Sequence, residues 1–419
     1  VSRQGSRRSG RSGQSGQTVG RTLTADVSGG SSLPALTPRF TRAASPACLA
    51  TLEPAAEDIL RTIPARYALR WFGRMLRAPD PSAYELSSSV ETIDCFWSHS
   101  WSAPKWHKVL VLLLYHNASP SAFIACIVAL AGCVLIPADW TPEPQEAGLI
   151  SLGLGMLTFC VVILWWPCTE RIFLDVACIR QDDDFAKKEG ILSLGFILKQ
   201  SRTMLVLWDS SYFTRLWCVF EFAARLKSME QDESIGDIAM IPCFYGIMAC
   251  LLCLGYAVFQ VMWTIMPEVM ASPEDPPLVE VAVIPSVIIL SAMFPFAHMN
   301  RRLMRSFAMH TKQLETFSIR RAACFCCTHG HRHPETGDAL LCDRELIDAS
   351  VVLWFGSMAA FDTYVRSAVP RHISKAAVLP YSFLVFAVMP CLWSGIGKAA
   401  WLAKQGLLAE AGEEVYCIV

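Results

Sequence analysis

Four groups of side chains in this sequence have the types and spacing to do chemistry. Trp217 and Glu221 stand four apart, so on a helix they share a face and an indole can wall a pocket into which the carboxylate points. Glu221 also precedes Arg225 by four, which offers an ordinary surface ion pair instead. Ser98, His99 and Ser100 follow a short apolar run in TIDCFWSHSW. Polar residues ending a parallel strand sit where α/β sheets bind ligands, and loop hydrogen bonding is the plainer reading. A Ser/His hydrolase does not follow, because neighbouring strand side chains point to opposite faces. Asp182, Asp183 and Asp184 offer oxygen ligands to a divalent cation, but nothing nearby completes a coordination shell, and such runs are more often solvated loops. The run CFCCTHGHRH gathers Cys324, Cys326, Cys327, His329, His331 and His333, with Cys342 nine residues further on. That is enough for a four-ligand zinc site, although the spacing matches no standard finger. Acylated cysteines near a membrane and idle reduced thiols are the competing readings. The other cysteines, mostly in apolar runs and strands, suggest no disulfide framework.

These residues need elements to position them. A buried strand is expected over 172–179, an acidic loop at Asp182, and a helix over 186–200 with Ile191, Leu194 and Leu198 on one face. A short strand over 204–208 follows, then turn residues Asp209, Ser210 and Ser211. Thr214 is placed to cap a helix carrying Leu216, Trp217, Phe220 and Leu226. Upstream, 92–101 reads as a strand and loop and 104–116 as a helix; downstream, 237–244 reads as a further strand. Strands alternating with helices predict a parallel sheet.

With these elements in place, the chain resembles the TIR (Toll/interleukin receptor) domain family. The first strand there ends in an SHSW-like loop, as Phe96, Ser98, His99, Ser100 and Trp101 do here. The second ends in an apolar-LD pattern, here Phe173, Leu174 and Asp175, and a later helix carries the pattern of Ser210, Tyr212, Trp217, Cys218 and Glu221. The match covers roughly 90 of the 419 residues. The resemblance implies a flavodoxin-like parallel sheet and self-association, in which the loop after the second strand takes part. In relatives that cleave NAD it implies Glu221 as the catalytic carboxylate, with Ser98, His99, Trp101, Asp175 and Trp217 around the substrate. That chemistry resembles glycoside cleavage, where a carboxylate steadies an oxocarbenium-like transition state. Many TIR domains keep the motif and only assemble. One departure stands out: a TIR domain continues past its fourth strand with another helix and strand, whereas here an apolar run begins at Tyr245. The domain is therefore either truncated or completed by later chain.

Composition sets the wider frame. Apolar residues make up 53 % of the chain and charged ones 17 %, with a mean hydropathy of +0.36, more apolar than a usual soluble domain. A net charge of −1 says nothing by itself about nucleic acid, and no nucleic-acid partner is expected. Runs over 121–137, 148–167, 245–266, 278–297 and 376–397 approach the ~20 residues that span a bilayer, so the lipid bilayer is an expected partner. Glu280 is the one acid or base among them, and Pro380 and Pro390 interrupt the last, which either spans or dips in. The loops 139–147 and 267–277 carry acids and no bases, while Arg171, Arg180, Lys187, Lys188, Arg301, Arg302 and Arg305 lie on the other side. The positive-inside rule then places the two acidic loops outward and the α/β unit in the cytosol. Two spans return the chain to the side it left, so the SHSW and LD strands can meet across an inserted membrane hairpin.

The expected organisation is a disordered stretch over 1–50, whose Arg/Ser-rich start also resembles a transit peptide, and an amphipathic basic helix within 51–80. That helix, over 55–77 with a kink at Pro64, either packs on the domain or lies on an anionic membrane surface. TIR-like halves at 90–118 and 169–244 flank a transmembrane hairpin at 119–168. A second hairpin follows at 245–298, then a Cys/His and helical region at 299–375 with an amphipathic helix or helix pair over 340–365, a fifth segment at 376–397, and a tail at 398–419. A membrane-anchored signalling protein is the expected function. The alternative is a transporter or channel with a regulatory TIR-like domain, against which stands the near absence of ionisable residues in the spans.

Overall fold

Strands Ile93–His99 (β3) and Ser201–Trp208 (β5) are buried on both faces over most of their length, with Asp94, Arg202 and Thr203 less covered. That is the pattern of strands covered from both sides. The structure is a computed structural model describing residues 59–76, 81–135, 143–231, 237–270, 284–332, 334, 336–340, 342–376, 381–407, 410 and 412. The expected disorder over 1–50, the transit-peptide reading, Asp139, Glu280 and His333 lie outside the described residues.

With Arg61–Pro64 (β1), Ser88–Ser89 (β2), Arg171–Phe173 (β4) and Ile238–Pro242 (β6), the two long strands form a mixed six-stranded sheet in the order β2-β1-β4-β3-β5-β6. The pairs β4–β3, β3–β5 and β5–β6 are parallel, whereas β1 runs antiparallel to β4 and to β2. Phe96 lies opposite Phe173 and Met204, and its ring stacks on Phe173 at 4.9 Å.

Several expected elements come out differently. Among the described residues, the helix expected over 55–77 begins only at Ala65, as Ala65–Gly73 (α1). The residue before a proline is pushed to extended backbone, and Arg61–Pro64 pairs with the sheet instead. The strand expected over 172–179 stops at Phe173, because the Asp175 carboxylate accepts from Val176 N–H at 2.8 Å and starts a helical turn, Asp175–Cys178 (α4). The helix expected over 186–200 breaks at Ser193 into Asp184–Leu192 (α5) and Leu194–Lys199 (α6). Thr214 does not cap the next helix, Leu216–Gln231 (α7); its hydroxyl donates back to Ser211 O at 2.7 Å.

The helix expected over 104–116 and the apolar run after it are one helix, Lys105–Val134 (α2), passing through Pro120. Its first turns span the height of the sheet. Lys108 Nζ donates to Ser100 O beyond the end of β3, and His116 Nδ1 lies 2.7 Å from Glu170, just before β4 begins. Val111, Leu112 and Leu114 join the strand core, whereas Phe123, Ile127, Leu130 and Val134 are exposed. The apolar part of α2 thus projects past the amino ends of the parallel strands. Helix Pro144–Trp165 (α3), opened by a capping box of Glu143 and Glu146, returns the chain to β4.

Tyr245–Met270 (α8) leaves the end of β6, and Ile284–Glu315 (α9) comes back to β5, where His310 meets the Trp208 ring at 4.5 Å. Cys342 precedes Asp343–Phe355 (α11), which a 76° bend at Gly356 separates from Met358–Ala376 (α12), so the expected helix or pair over 340–365 is a pair. Both pack on α7, and α12 also reaches β6. Chain beyond the third apolar helix therefore covers this side of the sheet. The last long helix, Tyr381–Lys404 (α13), runs unbroken through Pro390 and packs against α2, α3 and α8. Its Trp393 is fully buried, and a Cβ on Gly155 would stand 2.5 Å from that ring. Small residues let helix backbones approach closely.

Helices α2, α3, α8 and α13 are long and apolar enough to cross a membrane, and α11 with α12 would make five if counted as one bent span. Helix α9 is not among these in its described part, since 278–283 lies outside the described residues.

Candidate functional site

The carboxyl ends of β3 and β5 meet the first turns of α7, and there side chains far apart in sequence converge. Ser98 Oγ donates to Glu221 Oε2 at 2.6 Å and lies 2.6 Å from Tyr212 OH. A hydroxyl has one proton, so with Ser98 donating to Glu221 the Tyr212 hydroxyl is the donor to Ser98. Beside this chain, Ser100 Oγ and Ser211 Oγ are 2.7 Å apart, and Ser211 also donates to Asp209. Cys218 S–H points to His99 O at 3.6 Å, and the His99 and Trp101 rings meet edge to face at 4.7 Å.

Position is enforced from below. Arg225, fully buried one turn along α7, donates to the carbonyls of Leu198, Ser201 and Arg202, tying α7 to the start of β5. Its guanidinium is turned inward, away from the surface-pair geometry that the four-residue spacing offers. The amino end of α7 is held by Leu216 N–H donating to Ala323 O and Ala323 N–H to Thr214 O.

Burial sets the protonation states. It pushes the Glu221 carboxyl up to about 8; the charge of Asp175 adds to this, and the Ser98 hydrogen bond opposes it. Asp175 is raised by burial and drawn partly back by Val176 N–H, Trp101 and Lys108. Burial and the nearby Lys108 hold His99 well below its ordinary value, so it is neutral, and its buried Nε2 finds no hydrogen-bond partner among the described residues. Cys218 and Tyr212 are both pushed well up by burial, so neither is a ready anion. A carboxyl whose proton is exchangeable near neutral pH is thus held at the rim by a serine.

The structure gathers Ser98, His99, Trp101, Asp175 and Glu221 at this rim. Trp217 lies apart: its indole N–H donates to Asp343 Oδ2 at 3.1 Å, toward α11. One face of a helix is wide enough for neighbours four apart to take different partners. Asp183 caps α5, accepting from Phe185 and Ala186 N–H, and Asp182 pairs with Arg180 at 3.2 Å, the ordinary fate of an acidic loop. The Asp184 side chain lies outside the described residues. Tyr212, read from the sequence as part of the motif, and Ser211, read as a turn residue, join the network, and so does Lys108, which was not singled out from sequence. Nothing in HKVLVLLLY marks its lysine as buried.

In the Cys/His run, Cys326, Cys327, His331 and Cys342 place their ligand atoms within 4.8 Å of one another. Cys324 sits 3.2 Å from Cys326 Sγ, in a second grouping with Asp343, and His329 Nδ1 contacts Phe325 O. A cavity of about 570 Å³ lies elsewhere, lined by Arg66, Arg70, Phe72, Asn117, Trp165 and Trp166, between α1 and the sheet-proximal parts of α2 and α3. No family model matches the chain, and neither a curated protein nor a solved structure matches it.

Proposed function

We propose that this chain is a membrane-anchored signalling protein whose α/β unit is TIR-like, acts by self-association in the cytosol, and cleaves NAD at Glu221. The single observation carrying this reading is the 2.6 Å hydrogen bond between Ser98 and Glu221. It joins the two halves of the motif, 123 residues apart, across an inserted apolar hairpin. The order of the four parallel strands supports it: numbered along the chain they run 2-1-3-4, the doubly wound order in which ligands sit beyond the carboxyl ends. The apolar part of α2 projects from the opposite edge, so the bilayer would leave the Glu221 rim free in the cytosol.

Cleavage breaks the bond between ribose C1′ and the nicotinamide nitrogen, which keeps the electron pair; water adds to C1′ and releases a proton. Glu221, once ionised, stabilises positive charge on the ribose, and Ser98 holds the carboxylate in place. The buried Nε2 of His99, without a hydrogen-bond partner among the described residues, lies at the same rim. Nicotinamide release from membranes of expressing cells tests the reading. Wild type should release it at a rate that rises with pH through about 8, where Glu221 ionises, and Glu221→Gln should release none. Equal release from the two ends the enzymatic reading.

A further inference from the structure

The geometry points to a structural zinc site made by Cys326, Cys327, His331 and Cys342, which locks the 323–343 segment onto the amino end of α7. Three thiols and one imidazole from two stretches of chain place one ligand atom each within 4.8 Å of all the others. The Cys326 and Cys327 sulfurs are 3.9 Å apart. Thiolates at ~2.3 Å from a tetrahedral zinc stand about 3.8 Å apart, so this pair already has the separation the metal imposes. Cys324, at 3.2 Å from Cys326, is too close to share that tetrahedron and serves as a neighbouring thiol.

The local fold exists to bring these atoms together. One helical turn, Phe325–Thr328 (α10), presents Cys326 and Cys327. Gly330 and His331 both take positive φ, 60° each, which turns the chain back so that His331 N–H donates to Cys326 O at 2.8 Å. Leu340 N–H then donates to His331 O, and the Arg332–Ala339 bridge returns the chain to Cys342. Left-handed backbone is costly for a residue with a Cβ, and a metal bond at His331 supplies the compensation. Four protein ligands leave no open position, so the site is structural. Cys326 is 2 % exposed, which an acylated cysteine could not be.

What the metal would hold is visible in the next residues. Asp343, adjacent to Cys342, accepts the Trp217 indole N–H, and Arg344 donates to Ile319 O and Ala322 O. Ala323, on the other side of the cluster, pairs with Thr214 and Leu216. The zinc therefore closes a loop both ends of which grip the start of the helix that carries Glu221. This rests on the cysteine and histidine geometry alone and is independent of whether NAD is cleaved.

The test is metal content of the purified full-length chain in detergent, by elemental analysis after dialysis against zinc and then zinc-free buffer. Wild type, Cys324→Ser and His329→Ala should each hold one zinc per chain. Cys342→Ser and His331→Ala should fall to about a tenth of that, whereas His331→Cys, which substitutes a thiolate, should recover it. Native maleimide labelling guards against misfolding: a chelator should raise the reactive thiols of wild type and leave those of Cys342→Ser, already raised, unchanged. A metal-free wild type, retention in His331→Ala, or chelator-insensitive wild-type thiols would overturn the site. Loss in Cys324→Ser with retention in Cys342→Ser would move the metal to the Cys324, Cys326 and Asp343 group and overturn it equally.

Discussion

Glu221→Gln should remove a pH dependence from the stability of the fold as well as any activity from the rim. The Glu221 carboxyl stands at about 8 in the folded chain against 4.5 for a free glutamate, with burial as the leading cause. The folded state therefore binds this proton more tightly than the unfolded one. The stabilisation is fully present below about 4.5 and is lost as pH rises through about 8. At ~1.4 kcal/mol per tenfold change in proton affinity, the difference is bounded near ~5 kcal/mol. Glu221 keeps some solvent exposure, which screens its charge and brings the expected loss to roughly 2 kcal/mol. Glutamine still accepts from Ser98 through its amide oxygen and has no proton to lose. Melting of the full-length protein in detergent, followed by tryptophan fluorescence from about pH 5 to about pH 9 at constant ionic strength, reads the effect. The wild-type melting temperature should fall by a few degrees relative to the variant across that range. Parallel curves for the two proteins would refute the burial argument and remove the reason for placing a titrating carboxyl at this rim.

Arg225→Met should leave the buried carbonyls of Leu198, Ser201 and Arg202 short of donors, costing about 3 kcal/mol or more, and Arg225→Lys should restore little because one ammonium cannot fork to three acceptors; melting temperature checks both. Gly397→Val should lower the melting temperature by an overpacking cost of about 1–3 kcal/mol, since a Cβ there lies 2.6 Å from Ala147 O, while Gly153→Val, with nothing within 4 Å, should be neutral. Protease-protection tags at Pro142 and after Lys404 should report one side of the membrane and a tag at Gln231 the other. The tag after Lys404 follows from the packing of α13, whose Phe386 meets Phe159 in the second half of α3 and whose Gly397 meets Ala147 at the start of α3.

By itself the sequence determined what near neighbours decide. The strands read over 92–101, 204–208 and 237–244 lie at Ile93–His99, Ser201–Trp208 and Ile238–Pro242, and the apolar stretches near 121–137, 148–167 and 245–266 lie in long helices, because alternation, continuity and length are properties of consecutive residues. The two motif stretches were legible for the same reason, and so was the Cys/His run. Tertiary structure alone decided which of these residues meet. The Ser98–Glu221 bond and the turning of Trp217 toward Asp343 depend on partners more than a hundred residues away, the burial of Arg225 on carbonyls 23 to 27 residues back, and the approach of Cys326, Cys327 and His331 to Cys342 on a chain reversal. The antiparallel β1 likewise needed the adjacent β4 to pair with, whereas β4 ends early through a contact between neighbours, Asp175 with Val176 N–H, that the apolar pattern did not weigh. Side-chain direction on a helix or strand face is settled by what packs against it, and periodicity fixes the face without naming the partner.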